Sequence, residues 1–97
     1  MGLDEVWSVV RSIPVGRVAS YSAVGRALQR PVSGRTVGRF MARCPGDVPW
    51  WRVVAQTGAL PVGKRDPRLE REQREILVEE GVPLTQGVVA PEAFWEP

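Results

Sequence analysis

Val48-Pro49-Trp50-Trp51-Arg52-Val53 sets two adjacent indoles between a proline and an arginine. Consecutive side chains on a strand point to opposite faces. Read as a strand, this segment therefore turns one of Trp50 and Trp51 toward a cleft or a partner. An ordinary pair of core tryptophans is the competing reading. Upstream, Arg35, Arg39 and Arg43 recur at i, i+4, i+8, a ridge of guanidinium forks suited to phosphates. Beside that ridge runs a strip of small residues at the same spacing, Gly34, Gly38 and Ala42. Such a strip lets a helix approach another surface closely, whether a nucleic-acid groove or a second helix of the same protein. Glycine inside a helix costs about 1 kcal/mol relative to alanine, so Gly38 needs one of these reasons. Stacking, cation–π contact and phosphate binding are the chemistry these residues support. Acid–base and nucleophilic chemistry are poorly supplied. The chain has no histidine and a single cysteine, Cys44, so the usual general base and the usual activator of a thiol are both missing. The same two absences exclude a zinc site and an internal disulfide framework. No glycine-rich phosphate loop follows a strand-like run, and no cofactor or metal is expected.

Several elements must position these residues. Leu3, Val6, Trp7 and Val10 have the spacing of an amphipathic first helix, which Pro14 and Gly16 end. Ser20 is placed to cap a second helix over about Tyr21–Leu28. After Pro31, Ser33 or Gly34 starts a third helix reaching about Arg43, stopped by Pro45-Gly46. On it Val37, Phe40, Met41 and Cys44 share the core-facing side. Two short helices with arginines on the second read as a helix-turn-helix. Arg52 to Ala55, a Gln56-Thr57-Gly58 turn, and Ala59-Leu60 read as a small hairpin or wing. Asp66 and Pro67 open a last helix that stops at Gly81. Its i, i+4 spacings predict ion pairs Arg68–Glu72, Glu70–Arg74 and Arg71–Glu75. Phe94 and Trp95 are expected to anchor a tail that shows little periodicity.

The 97 residues make one domain, 1–97, with a single modest core. The fold class expected is mainly α, a winged helix-turn-helix with a small β hairpin. Charge is unevenly spread. Residues 1–65 carry ten Lys/Arg against three acids, +7, whereas residues 66–97 carry three arginines against eight acids, −5. A basic body of this kind is an electrostatic footprint for nucleic acid. The absence of an 18-residue apolar run or a basic-then-apolar leader predicts neither a membrane span nor secretion; the location expected is the cytoplasm of a bacterium, at the nucleoid when bound.

Three stretches resemble a known family. Ile13-Pro14-Val15-Gly16-Arg17-Val18-Ala19-Ser20-Tyr21, Arg35-Thr36-Val37-Gly38-Arg39-Phe40-Met41 and Pro49-Trp50-Trp51-Arg52-Val53 look like the DNA-binding domain of O6-alkylguanine-DNA alkyltransferases. In those enzymes the last motif reads Pro-Cys-His-Arg-Val, and its cysteine accepts the alkyl group. Trp50 in the cysteine's place is the signature of the alkyltransferase-like proteins, which bind alkylated guanine without repairing it. Lys64-Arg65-Asp66, Glu72-Gln73-Arg74, Glu79-Glu80-Gly81-Val82 and Phe94-Trp95-Glu96-Pro97 also resemble that subgroup.

The resemblance implies a role for each matching residue. Tyr21 would press on the DNA backbone and help rotate the damaged nucleotide out. Arg35 would fill the vacated space in the base stack. The helix bearing Gly34, Gly38, Arg39 and Ala42 would lie in the minor groove. Tyr21, Met41, Trp50, Val53 and Arg65 would form the lesion pocket, with backbone groups of Trp50 and Val53 reading the guanine edge and Arg65 stacked over the extruded base. A flipped base needs such an apolar, aromatic pocket, because its eviction costs a few kcal/mol that contacts must offset. The implied partners are double-stranded DNA containing O6-alkylguanine and the proteins of nucleotide excision repair, and the implied state is a monomer. The chain also departs from the pattern. Trp51 stands where the subgroup usually keeps histidine, and Cys44 where the enzymes commonly have asparagine, leaving Glu80 as the remnant of a cysteine–histidine–glutamate relay. Two other functions remain in view. One is a winged-helix regulator that reads sequence, which leaves Trp50, Trp51 and Arg65 unexplained. The other is an atypical alkyltransferase using Cys44, which lacks a group to activate the thiol.

Overall fold

A computed structural model describes residues 2–97. Helix α1 (Leu3–Arg11) buries Val6, Trp7 and Val10, the face its spacing predicts. A two-residue strand β1 (Ala19–Ser20) runs directly into α2 (Tyr21–Ala27). Ser20 closes that junction, its hydroxyl accepting the Ala23 N–H at 3.0 Å. Ser33 caps α3 (Gly34–Met41) in the same way, accepting from the Thr36 N–H at 3.2 Å. Asp66 caps α4 (Pro67–Glu79), and Gly81 follows it with φ +84°. Each of these side chains satisfies an N–H that the first helical turn leaves free.

The helix-turn-helix is held by glycines of two kinds. A Cβ on Gly25 would strike the Val32 carbonyl, and one on Gly34 would lie 2.9 Å from the Ser22 hydroxyl. Both glycines let α2 and α3 close on each other. A Cβ on Gly38 would meet nothing within 4 Å. Internal helix packing therefore accounts for Gly34 and leaves Gly38 without an internal reason.

The strands differ from the sequence expectation. Strand β2 (Val53–Val54) pairs in parallel with β1, Ala19 opposite Val53 and Ser20 opposite Val54. It does not form a hairpin with Ala59-Leu60. That segment makes only a tight turn, with Ala55 N–H donating to the Ala59 carbonyl at 3.0 Å. The antiparallel pair lies in the tail, β3 (Leu84–Thr85) against β4 (Val88–Val89). Gln86 and Gly87 between them both have positive φ, 54° and 78°, as a type I′ turn requires. The tail also docks on β1, as expected of Phe94 and Trp95. Val18 donates to the Ala93 carbonyl at 3.0 Å and accepts from the Trp95 N–H at 2.7 Å.

Two apolar clusters result. One joins α1, α2, α3 and Val48–Val53 through Val6, Val10, Ile13, Val24 and Val37. The other joins α4, the hairpin and the tail through Val18, Val54, Leu77 and Val89. Strand β2 contributes to both, Val53 to the first and Val54 to the second, while Ala19 of β1 joins the first and Val18, just before it, the second.

Candidate nucleic-acid interface

The parallel pairing decides which residues meet. Tyr21 follows the β1 residue Ser20, and Trp50 lies three residues before the β2 residue Val53. The β1–β2 pairing joins the two segments that carry Tyr21 and Trp50, and these residues, far apart in sequence, line the same cleft. Tyr21, Met41, Trp50, Val53 and Arg65, expected to form one pocket, all line a single cleft of about 210 Å³. Gly34, Gly38 and Ala42 line an adjoining trough of about 280 Å³, where Tyr21, Met41 and Arg65 reappear. The small-residue strip thus opens directly onto the cleft. Ala42 does so from just beyond the last turn of α3, which ends at Met41 rather than near Arg43. Arg35 and Arg39 lie outside both hollows, exposed on α3. Neither has an ion-pair partner among the described residues.

The two tryptophans have separate settings, though on a 3-10 turn (Trp50–Arg52) rather than a strand. The turn still splays them: their rings meet edge to face, centroids 6.0 Å apart at 81°. Trp50 lines the cleft. Trp51 turns to the second cluster and is held on several sides. Its indole N–H donates to Glu80 Oε2 at 3.0 Å, its ring lies 5.7 Å from the Arg52 guanidinium, and its carbonyl accepts from Gln73 Nε2 at 3.1 Å. Arg52 grips Glu80 with two nitrogens, at 3.0 and 2.8 Å, and donates a third bond to the Ile13 carbonyl at 2.9 Å. Burial pushes the Glu80 carboxyl up, but the hydrogen bonds from Arg52 and Trp51, the Arg52 charge and the Gly16 N–H outweigh it and hold Glu80 below the usual carboxylate range. Glu80 is therefore an ionised structural anchor that fixes the turn presenting Trp50.

The groups in the cleft are poorly suited to bond-making. Burial pushes the Tyr21 phenol up, with the neighbouring Arg65 charge pulling the other way. Cys44 also lines the cleft. Burial first, then the charge of Asp47, push its thiol up to about 11 against the pull of Arg11. A thiol in that state is a weak nucleophile near neutral pH.

Sequence reasoning left part of the wall unassigned: Cys44, Val62, Leu69, Glu72 and Gln73. Gln73 is 2 % exposed and ties the carbonyls of Trp51 and Val53 together through Nε2. Its spacing to Leu69 and Leu77 on α4 was the signal available. Glu72 is displaced from its expected role. Arg68 pairs with Asp66 at 3.5 Å instead, because the helix cap lies closer. The Arg71–Glu75 pair is absent as well, and of the three expected pairs only Glu70–Arg74 forms, at 2.7 Å.

Comparison with known proteins agrees with this geometry. Residues 3–82 match the family model described as the 6-O-methylguanine DNA methyltransferase DNA-binding domain. Alkyltransferase-like protein 1 of Schizosaccharomyces pombe is 34% identical over 110 residues, with all of both chains covered. The DNA base-flipping protein of Escherichia coli K12 is 38% identical over 81 residues, covering 81% of this chain and 60% of that longer protein. The crystal structure of S. pombe Atl1 in complex with damaged DNA containing O6-carboxymethylguanine superposes with a TM-score of 0.81 over the whole of both chains, at 34% identity. The chain is thus a winged helix-turn-helix domain of the alkyltransferase type, and it belongs to the alkyltransferase-like family.

Proposed function

We propose that this protein is a non-enzymatic sensor that binds O6-alkylguanine in duplex DNA, rotates the base into the cleft, and marks the site for nucleotide excision repair. One observation carries the reading. Trp50, Met41, Tyr21 and Arg65 converge on one cleft that opens onto the Gly34–Gly38–Ala42 strip. A helix laid along a DNA groove on that strip would have the cleft at its side, where an extruded nucleotide arrives. Met41 and Trp50 would receive the base, Val53 and the Trp50 backbone its edge, and Arg65 its face. Arg35 would enter the stack, and Arg39 would hold a phosphate. The relative captured with damaged DNA and the relative named for base flipping support this direction.

Transfer of the alkyl group is not part of the proposal. An indole occupies the acceptor position, and Glu80, which would orient a histidine, is committed to Trp51 and Arg52. Cys44 is present in the cleft with a thiol made less acidic by its surroundings. The protein acts as a monomer bound to damaged DNA, with repair proteins recruited to the complex. The test is affinity for one duplex containing either O6-methylguanine or guanine, at fixed ionic strength. Tighter binding of the methylated duplex is expected. Equal affinities, with a preference for particular base sequences instead, would favour a sequence-reading regulator.

A further inference from the structure

We infer that Glu72 sets the charge preference of the site for the O6 substituent, admitting neutral groups and disfavouring anionic ones. This rests on the lesion-binding reading above. The cleft has two ends. Tyr21, Met41, Ala42, Val62 and Arg65 line both the cleft and the trough beside the glycine strip, and so form the end nearest the DNA. Cys44, Gly46, Trp50, Val53, Leu69, Glu72 and Gln73 line the cleft alone. A base entering from the strip and directed at Trp50 projects its O6 substituent into this second end. The cation of the site, Arg65, belongs to the first end. The second end holds a single carboxylate, Glu72, and no Lys or Arg.

Glu72 has no ion-pair partner among the described residues, since Arg68 has gone to Asp66. Its charge is therefore not cancelled locally. The other acidic group nearby is Asp47, which acts on Cys44 but is already paired with Arg11 at 3.5 Å. A carboxylate on the adduct would add a second negative charge to this end, whereas a methyl or an amide would not. Because Glu72 is exposed to solvent, screening limits the effect to about two- to fivefold in affinity, shrinking as salt is added.

The experiment uses three adducts in one duplex: O6-methylguanine, O6-carboxymethylguanine, and O6-carbamoylmethylguanine, the neutral isostere of the second. The unmodified protein should bind the carbamoylmethyl duplex about two- to fivefold more tightly than the carboxymethyl duplex. Glu72→Gln should bring that ratio close to one. Glu75→Gln removes an acid from the same helix outside the cleft and should leave the ratio as it was. A ratio near one in the unmodified protein, an unchanged ratio in Glu72→Gln, or an equal fall in Glu75→Gln would each overturn the assignment. If O6-methylguanine is preferred over guanine while any of these occurs, the inference fails and the lesion-binding reading stands. If O6-methylguanine is not preferred over guanine, both fail. The S. pombe relative was crystallised on O6-carboxymethylguanine DNA, so a penalty for that adduct would also separate the two proteins.

Discussion

Helix α4 carries charges of both signs and helix α3 only arginines, and the two use them in different ways. On α4 and its cap, Glu70 grips Arg74, Asp66 meets Arg68, and Glu80 is clasped by Arg52 with side chains only 14 % and 12 % exposed. On α3, Arg35 and Arg39 have no ion-pair partner among the described residues, and Gly38 faces open space. Paired charge at low exposure binds elements of the fold together. Unpaired charge of one sign, set beside a bare strip of backbone, stabilises nothing inside the molecule. It makes sense when a polyanion supplies the missing partners.

The contrast predicts where stability and binding separate. Glu80→Ala would leave Arg52 and the Trp51 N–H without their acceptor. Breaking a buried pair from one side costs about 3–5 kcal/mol, so thermal melting should show a drop of 10 °C or more, at about 4–8 °C per kcal/mol for a domain of this size. Acid should act through the same residue. Its carboxyl titrates below the usual range in the fold, so the stabilisation is present above the unfolded carboxylate range near pH 4 and is lost as pH falls through the lower folded value. A melting temperature that does not move in Glu80→Ala would dissolve the contrast between the two helices.

Substitution of the exposed arginines of α3 should leave stability nearly alone and change binding, whereas Tyr21, at the start of α2 and packed against the first cluster, should affect both. Arg35→Ala and Tyr21→Ala are expected to weaken damaged-DNA binding by impairing extrusion, by about tenfold or more if each removes roughly 1.4 kcal/mol. Exposed Arg35 should cost the fold less than about 0.5 kcal/mol. Gly38→Ala sharpens the point, because its two effects have opposite signs. With nothing within 4 Å of the new methyl, helix propensity should raise stability by up to about 1 kcal/mol. The same methyl should lower DNA affinity if the strip lies in a groove. Gly38→Ala that binds DNA at full strength would move the strip off the interface. Gly34→Ala, crowding Ser22, should lose stability. The smallest effect belongs to Arg39→Ala, which should weaken damaged and undamaged duplexes alike and reduce the salt slope by about one unit.

The same comparison explains what could be read without coordinates. Helices α1, α2 and α3 were legible because their apolar spacing and their Ser20 and Ser33 caps act locally. The cleft residues Tyr21, Met41, Trp50, Val53 and Arg65 were legible as a group through family resemblance. No local signal joins Tyr21 to Trp50, which reach one cleft only through long-range packing of the segments that carry them. The hairpin was misplaced for a related reason. Gln56-Thr57-Gly58 looks like a turn and makes one, but the strands around it find other partners. The real hairpin turns on Gln86-Gly87 between strands of two residues each, too short to show alternation. Glu72 was not legible as a cleft residue, because i, i+4 spacing pairs it with Arg68, whereas that arginine meets the Asp66 cap instead.

Binding without transfer is the central claim, and intact mass addresses it most directly. The protein would be held in saturating complex with an O6-methylguanine duplex, then the complex dissociated and both components weighed. The account predicts an unchanged protein mass and a duplex that keeps its methyl group. Trp50→Cys should behave the same way, because Trp51 still occupies Glu80 and no base is available for the new thiol. A stoichiometric gain of one methyl by the unmodified protein, on Cys44 or elsewhere, with its loss from the DNA, would contradict the account.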